Sequence, residues 1–229
     1  MAGSRFIVIE GLIGVGKTSL CRLLAKERNA ELVLEPADDN PFLAQFYADP
    51  EHFAFAAQMF YLATRCKQQN NLVQNRLFTD IIVSDYIFEK DRIFAEQTLE
   101  GEELELYDRF SSLLDQNVSI PDFVLFLDAP TDVILQRIER RGIEAEQVIQ
   151  AQYLNDLRHR YYQLWGSYTK APVYVLNTAE LNYIDSPDDQ VRIMEMIDGW
   201  LLGQPLADAP KPYISEETEQ LSLFGHMSP

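Results

Sequence analysis

The chain has 229 residues, 47% of them hydrophobic and 24% charged, which suits one large α/β domain whose core needs neither disulfides nor a structural metal. A formal net charge of -17 disfavours duplex nucleic acid and anionic membrane surfaces as partners, so a phosphate site must be a local concentration of positive charge. Cys21 and Cys66 form no C-x-x-C and His52, His159 and His226 show no metal-ligand spacing, as expected of a cytoplasmic protein with reduced thiols.

In chain order, RFIVIEG (5–11) is a short β-rich run that ends in glycine and predicts a buried strand. Its start at the N-terminus leaves no room for a charged leader and a cleavage site. KTSLCRLLAKE (17–27) has helical apolar spacing, and ELVLE (31–35) predicts a second strand. A short helix is expected within 40–50, bounded by Pro41 and Pro50, and one long helix over 51–71. DIIVSD (80–85) and DFVLFLDA (122–129) predict buried strands, each followed by helical pattern. APVYVLN (171–177) is the last strand and 187–201 the last clear helix. Five strands alternating with helices imply a parallel sheet covered on both faces. No run reaches the ~18 apolar residues of a membrane span. From Gly203 the chain is rich in Pro, Ala, Asp and Glu without periodicity, so 1–202 is expected to be the folded domain and 203–229 an acidic tail.

GLIGVGKT (Gly11–Thr18) fits G-x-x-x-x-G-K-[ST] directly after a strand and at the start of a helix. Backbone N–H groups of Gly14, Val15 and Gly16 turned inward, together with the helix N-terminus, make a phosphate cradle. Lys17 supplies a point charge to the β/γ-phosphates and Thr18 a hydroxyl to Mg²⁺. No N-K-x-D guanine signature occurs, which makes ATP the expected nucleotide. A glycine-rich turn without ligand is the plain alternative.

Glu35 closes the second strand, at the sheet end where open α/β folds bind ligands. A carboxylate there can take a proton from an attacking hydroxyl, or it is a solvated loop glutamate. On the long helix, Phe55, Met59, Leu62 and Cys66 make a core stripe, while Gln58, Tyr61 and Arg65 make a separate polar and aromatic one. Gln58 sits among Phe, Ala and Met; it is either an amide that reads a nucleobase edge or one at the helix surface.

LEPADDNPFLAQFYADPEHFAFAAQMFYLATRCKQQ (34–69), joined to this phosphate loop, resembles the deoxynucleoside kinases, and most of all the bacterial deoxyadenosine/deoxyguanosine kinases. The resemblance runs over about residues 5–200. It implies a P-loop kinase with a short arginine-bearing lid, and transfer of the ATP γ-phosphoryl group to a deoxynucleoside 5′-hydroxyl, with Glu35 as general base. It further implies that Gln58 pairs with the base, Phe94 stacks on it, and Tyr47 and Glu146 meet the sugar 3′-hydroxyl. Arg65 beside Gln58 leans towards purines.

QRIERRGIEAEQ (136–147) places Arg137, Arg140 and Arg141 at one helix end, where they can hold the transferring phosphate or answer the helix dipole. The family often reads R-G-R here, whereas this chain has Arg141-Gly142-Ile143. After the third strand the family has an acid followed by Arg-Ser; here the sequence is SDYIFEKDR, with Asp85 in the acid's place near Mg²⁺ or else a strand-end carboxylate without metal, Tyr86 in the arginine's place, and Arg92 a side chain whose reach into the site the sequence leaves open. A nucleoside monophosphate kinase and a non-catalytic nucleotide-binding module are the rival readings. A homodimer is expected from the resemblance. Finally, Gln220–Phe224 (QLSLF) matches the pentapeptide with which bacterial replication proteins dock on the sliding clamp; folding back onto the domain is the alternative.

Overall fold

Continuous apolar runs make the frame. Every residue of β1 (Arg5–Gly11) after Arg5 is buried, and β4 (Phe123–Asp128) is buried up to its last residue, as parallel strands covered on two faces require. With β2 (Glu31–Val33), β3 (Ile81–Ser84) and β5 (Val173–Asn177) they form one parallel sheet in the order β2-β3-β1-β4-β5. The computed structural model describes residues 4–35, 39–75, 79–114 and 118–214.

Among the described residues eight α-helices lie between and beyond the strands: α1 (Lys17–Arg28), α2 (Leu43–Ala48), α3 (Pro50–Asn75), α4 (Lys90–Thr98), α5 (Gly101–Leu114), α6 (Thr131–Arg141), α7 (Ala151–Ser167) and α8 (Pro187–Leu202). Local chemistry sets several of their ends. Asn29 (φ 49°) and Gly142 (φ 69°) stop α1 and α6 in the left-handed conformation. Ser186 caps α8 by accepting from the Asp189 N–H, with Pro187 in the first turn.

The main core packs β1 and β4 against Leu20 and Leu24 of α1, Tyr161 and Trp165 of α7, and Ile193 and Trp200 of α8. Trp200 stacks on Tyr174 with ring centroids 4.5 Å apart. A second cluster joins Ala54 and Leu62 of α3 to Ala95 of α4 and Tyr107 of α5, with Phe55, Met59 and Cys66 against it. The expected core stripe of α3 is thus core, and it braces α3 and α4 as one wall of the site.

Two boundaries differ from expectation. The second strand ends at Val33, so Leu34 and Glu35 leave the sheet. Beyond α8, residues 203–214 pack against the domain: Gln204 N–H donates to Gly199 O at 2.8 Å, Pro212 bridges Tyr174, and Tyr213 N–H donates to Val173 O at 2.7 Å. This stretch is held by backbone bonds and single rings, which leave no periodic signal. Gln220–Phe224 lies outside the described residues. Among the described residues no helix is long and apolar enough to cross a membrane.

Candidate active site

The carboxyl ends of β1, β2 and β3 converge on the phosphate loop. Gly11 has φ 149°, and a Cβ there would lie 2.3 Å from the Leu127 carbonyl oxygen, so only glycine lets β1 turn this close to β4. Gly16 has φ 109° and meets the Tyr183 hydroxyl on its open side. Lys17 Nζ donates to Gly11 O (2.9 Å) and Leu12 O (3.0 Å), which curls it over the loop. Burial lowers its pKa, and the nearby Lys90 charge lowers it further. Thr18 Oγ1 donates to Asp85 Oδ2 at 2.7 Å, and Asp85 Oδ1 accepts from the Glu35 backbone N–H at 2.8 Å. Asp85 therefore ties the loop to the end of β2.

Two cavities open from this point. One, of about 530 Å³, is bounded by the loop, Arg137, Arg140 and Arg141 of α6, and residues 179–185 after β5. Arg137 is tied down: it donates to Val15 O (3.2 Å), Thr178 Oγ1 (3.0 Å) and Thr178 O (2.6 Å). Arg140 is largely exposed, 3.8 Å from Asp185, and Arg141 pairs with Glu146. The positive cluster demanded by an acidic chain is here.

The second cavity, of about 250 Å³, shares Gly14, Lys17, Thr18 and Arg141 with the first and extends to Glu35, Gln58, Tyr61, Arg65 and Phe94. Gln58, Tyr61 and Arg65 line it together, as their spacing predicts, and Gln58 is buried rather than at the helix surface. Glu35 is gripped from two sides. Arg65 pairs with its Oε1, and Lys90 Nζ donates to its Oε2 at 2.8 Å. Burial alone would raise the Glu35 pKa; the Arg65 and Lys90 charges outweigh it and hold the carboxyl well below the usual range. Arg65 also pairs with Asp91, and its guanidinium lies over the Tyr61 and Tyr86 rings, 5.1 and 5.6 Å from their centroids. Lys90 is 3.9 Å from Glu10, a fully buried carboxylate that accepts from Gly11 N–H, Ile87 N–H and the Tyr161 hydroxyl.

Among the remaining expected positions, Glu146 and Phe94 line the second cavity and Asp85 lies at the junction. The Tyr47 side chain lies outside what is described. Arg92, whose reach the sequence leaves open, bonds Glu96 and Asp108 on the surface and not the site. Lys90, Asp91, Glu10 and Thr98 were not singled out in the sequence. A signal existed for two of them, because Lys90, Phe94 and Thr98 fall at i, i+4, i+8 on α4. Tyr86 takes a different task from an arginine: its hydroxyl donates to Gln68 Oε1 at 2.8 Å, and Gln68 Nε2 donates to Leu34 O at 2.9 Å, which steadies the segment carrying Glu35.

A family model for deoxynucleoside kinases matches residues 7–201. The chain belongs to the deoxynucleoside kinase family. It is 36% identical over 153 residues to a deoxyguanosine kinase of Bacillus subtilis (strain 168), covering 66% of this chain and 74% of that protein. It is 28% identical over 198 residues to a deoxyadenosine/deoxycytidine kinase of the same organism, covering 83% and 90%. In fold it resembles a deoxyadenosine kinase from M. mycoides solved with products, with a TM-score of 0.71 at 23% identity, over 85% of this chain and 99% of that one. As a member of this family the chain is an ATP-dependent kinase of deoxynucleosides.

Proposed function

We propose that this kinase transfers the γ-phosphoryl group of ATP to the 5′-hydroxyl of a deoxynucleoside with a preference for purines, the donor in the larger cavity and the acceptor in the smaller. The observation that carries the assignment is that both cavities meet at Gly14, Lys17, Thr18 and Arg141 while Glu35 lines only the smaller. Glu35 accepts the hydroxyl proton. Each of its oxygens already takes one charged donor, yet a carboxylate has about four acceptor directions, so about two remain and one can serve the substrate. A low pKa is compatible with this role, since phosphoryl transfer is loose and leans on positioning and charge stabilisation. Lys17, Arg137 and Arg141 hold the charge on the transferring group, and Arg140 contributes at the ATP side. Gln58, Arg65 and Phe94 meet the base, and Tyr47 and Glu146 the sugar.

Mg²⁺ fits the oxygen pair of Thr18 and Asp85. Among the described residues no cluster of three acidic, His or Cys side chains exists, but Mg²⁺ is ordinarily held by one or two protein oxygens plus substrate phosphates. When bound, the ion neutralises charge on the β- and γ-phosphates. An acceptor already carrying a phosphate is disfavoured, because Arg65 and Lys90, two cations that line the smaller cavity, are engaged by Glu35 and Asp91. The purine preference draws on Arg65 beside Gln58 and on relatives named deoxyguanosine kinase and deoxyadenosine kinase, although one Bacillus relative is named for deoxycytidine as well as deoxyadenosine. Assaying the four natural deoxynucleosides and their monophosphates one by one tests the reading. Selectivity for thymidine or deoxycytidine overturns the purine preference, and selectivity for a monophosphate overturns the acceptor.

A homodimer in the cytoplasm is part of the same reading. Leu106, Phe110 and Leu113 form an exposed apolar stripe on α5, as a helix pair would need. Light scattering at micromolar concentration should give twice the chain mass, and a monomer contradicts it. Sliding-clamp docking through Gln220–Phe224 rests on the sequence alone. Peptide 215–229 should bind the organism's own clamp in fluorescence polarisation, and no binding at high micromolar peptide ends the idea.

A further inference from the structure

Gln58 is 4% exposed and lines the smaller cavity. Its Nε2 donates to the Thr98 hydroxyl at 3.1 Å. That hydroxyl has a single proton, and it goes to the Phe94 carbonyl, 2.7 Å away and one turn back on α4. Towards Gln58 the hydroxyl then offers only lone pairs, so the amide nitrogen and not the oxygen must face it. Gln58 Oε1 is left buried with no hydrogen-bond partner among the described residues. Buried carbonyl oxygens are normally paired, so this unpaired oxygen, on a residue that lines the cavity, is matched to a donor brought by a ligand.

We propose that Thr98 is a positioning residue for base recognition: it fixes the Gln58 amide so that the carbonyl oxygen meets a hydrogen-bond donor on the nucleobase edge, the exocyclic amine of an adenine-type base or the ring N–H of a guanine-type base. The inference rests on Gln58 being the residue that reads the base. Without the hydroxyl the amide nitrogen loses its acceptor and the amide is no longer held with its oxygen towards the base, which weakens apparent binding by up to the worth of that one hydrogen bond. The three residues at i, i+4, i+8 on α4 then divide the work: Lys90 holds Glu35, Phe94 stands at the base, and Thr98 sets the amide.

The test compares 2′-deoxyadenosine with purine 2′-deoxyriboside, which lacks the 6-amino group, in steady-state assays of the full chain. Wild type should prefer the amine-bearing nucleoside. Thr98→Val keeps the side-chain shape and removes the acceptor. It should raise KM for deoxyadenosine roughly three- to tenfold, the value of one neutral hydrogen bond, leave kcat within about twofold, and leave the deoxyriboside nearly unchanged. Thr98→Ser should behave as wild type. Equal losses on both nucleosides, no loss on either, a serine variant as impaired as the valine, or a wild type indifferent to the amine would each overturn the proposal. If the valine variant does not fold, Thr98→Ala takes its place. Gln58→Leu separates the layers: if it leaves the discrimination intact, the reading of Gln58 is wrong and the proposal falls with it. If Gln58→Leu erases the discrimination and Thr98→Val does not, only the role of Thr98 is wrong.

Discussion

Lys90 and Arg65 place two buried cations against one carboxylate, and that grouping governs how the site responds to pH. Because the Glu35 pKa is depressed, its charged form persists well below neutrality, and the wild-type pH–rate profile should show no acid limb from Glu35 between about pH 5 and pH 8. By the same sign, the group adds stability above its ordinary pKa of 4.5, and this is lost only as the pH falls from there towards the depressed value. Lys90→Met removes one cation. It should lower kcat/KM by roughly 10- to 100-fold, the value of a charged hydrogen bond, and raise the Glu35 pKa, so that the rate falls as pH drops through the new value. A variant with wild-type rate and a flat profile contradicts this. Lys90 was hard to see in sequence because its partner lies 55 positions away. Arg92, two residues on, is turned about 200° around the helix, which is why one cation faces the site and the other the solvent.

At the scale of elements, the phosphate loop was fully legible because eight consecutive residues define it and its strand and helix flank it directly. The stripe of Gln58, Tyr61 and Arg65 was legible for the same reason, since a helix converts spacing into a face. The matching stripe on α4 was present but meaningless until α4 was seen to pack on α3. The loop itself depends on the sheet: Gly11 must pass the Leu127 carbonyl of β4. Gly11→Ala should therefore destabilise the fold by more than about 1 kcal/mol in chemical denaturation, even with no nucleotide present. Unchanged stability with lost activity alone would show that the close approach serves ATP and not folding.

Across the whole molecule, a chain of net charge -17 concentrates arginine and lysine around one junction, and every group proposed for the transfer sits at the carboxyl end of the sheet or on the helix ends facing it. The sequence placed the end of the domain near residue 202, whereas Gln204 bonds back to α8 and Pro212 and Tyr213 pair with β5, with the Tyr213 ring 5.6 Å from that of Tyr162. Truncation after Ile214 should leave Tm and kcat/KM unchanged. Truncation after Leu202 should lower Tm by several degrees through loss of the backbone bond to Val173 and the ring contact, about 2 kcal/mol together. Equal Tm for the two truncations would show that this stretch contributes nothing.

The proposed transfer turns on Glu35, between Arg65 and Lys90, taking the proton of the acceptor hydroxyl. Glu35→Gln keeps the shape and removes the charge. Single-turnover phosphorylation of a deoxynucleoside with saturating ATP should slow by about 10²-fold or more, the range for a lost general base, while ATP and the nucleoside bind within a few-fold of wild type. Turnover by Glu35→Gln at the wild-type rate would show that another group takes the proton.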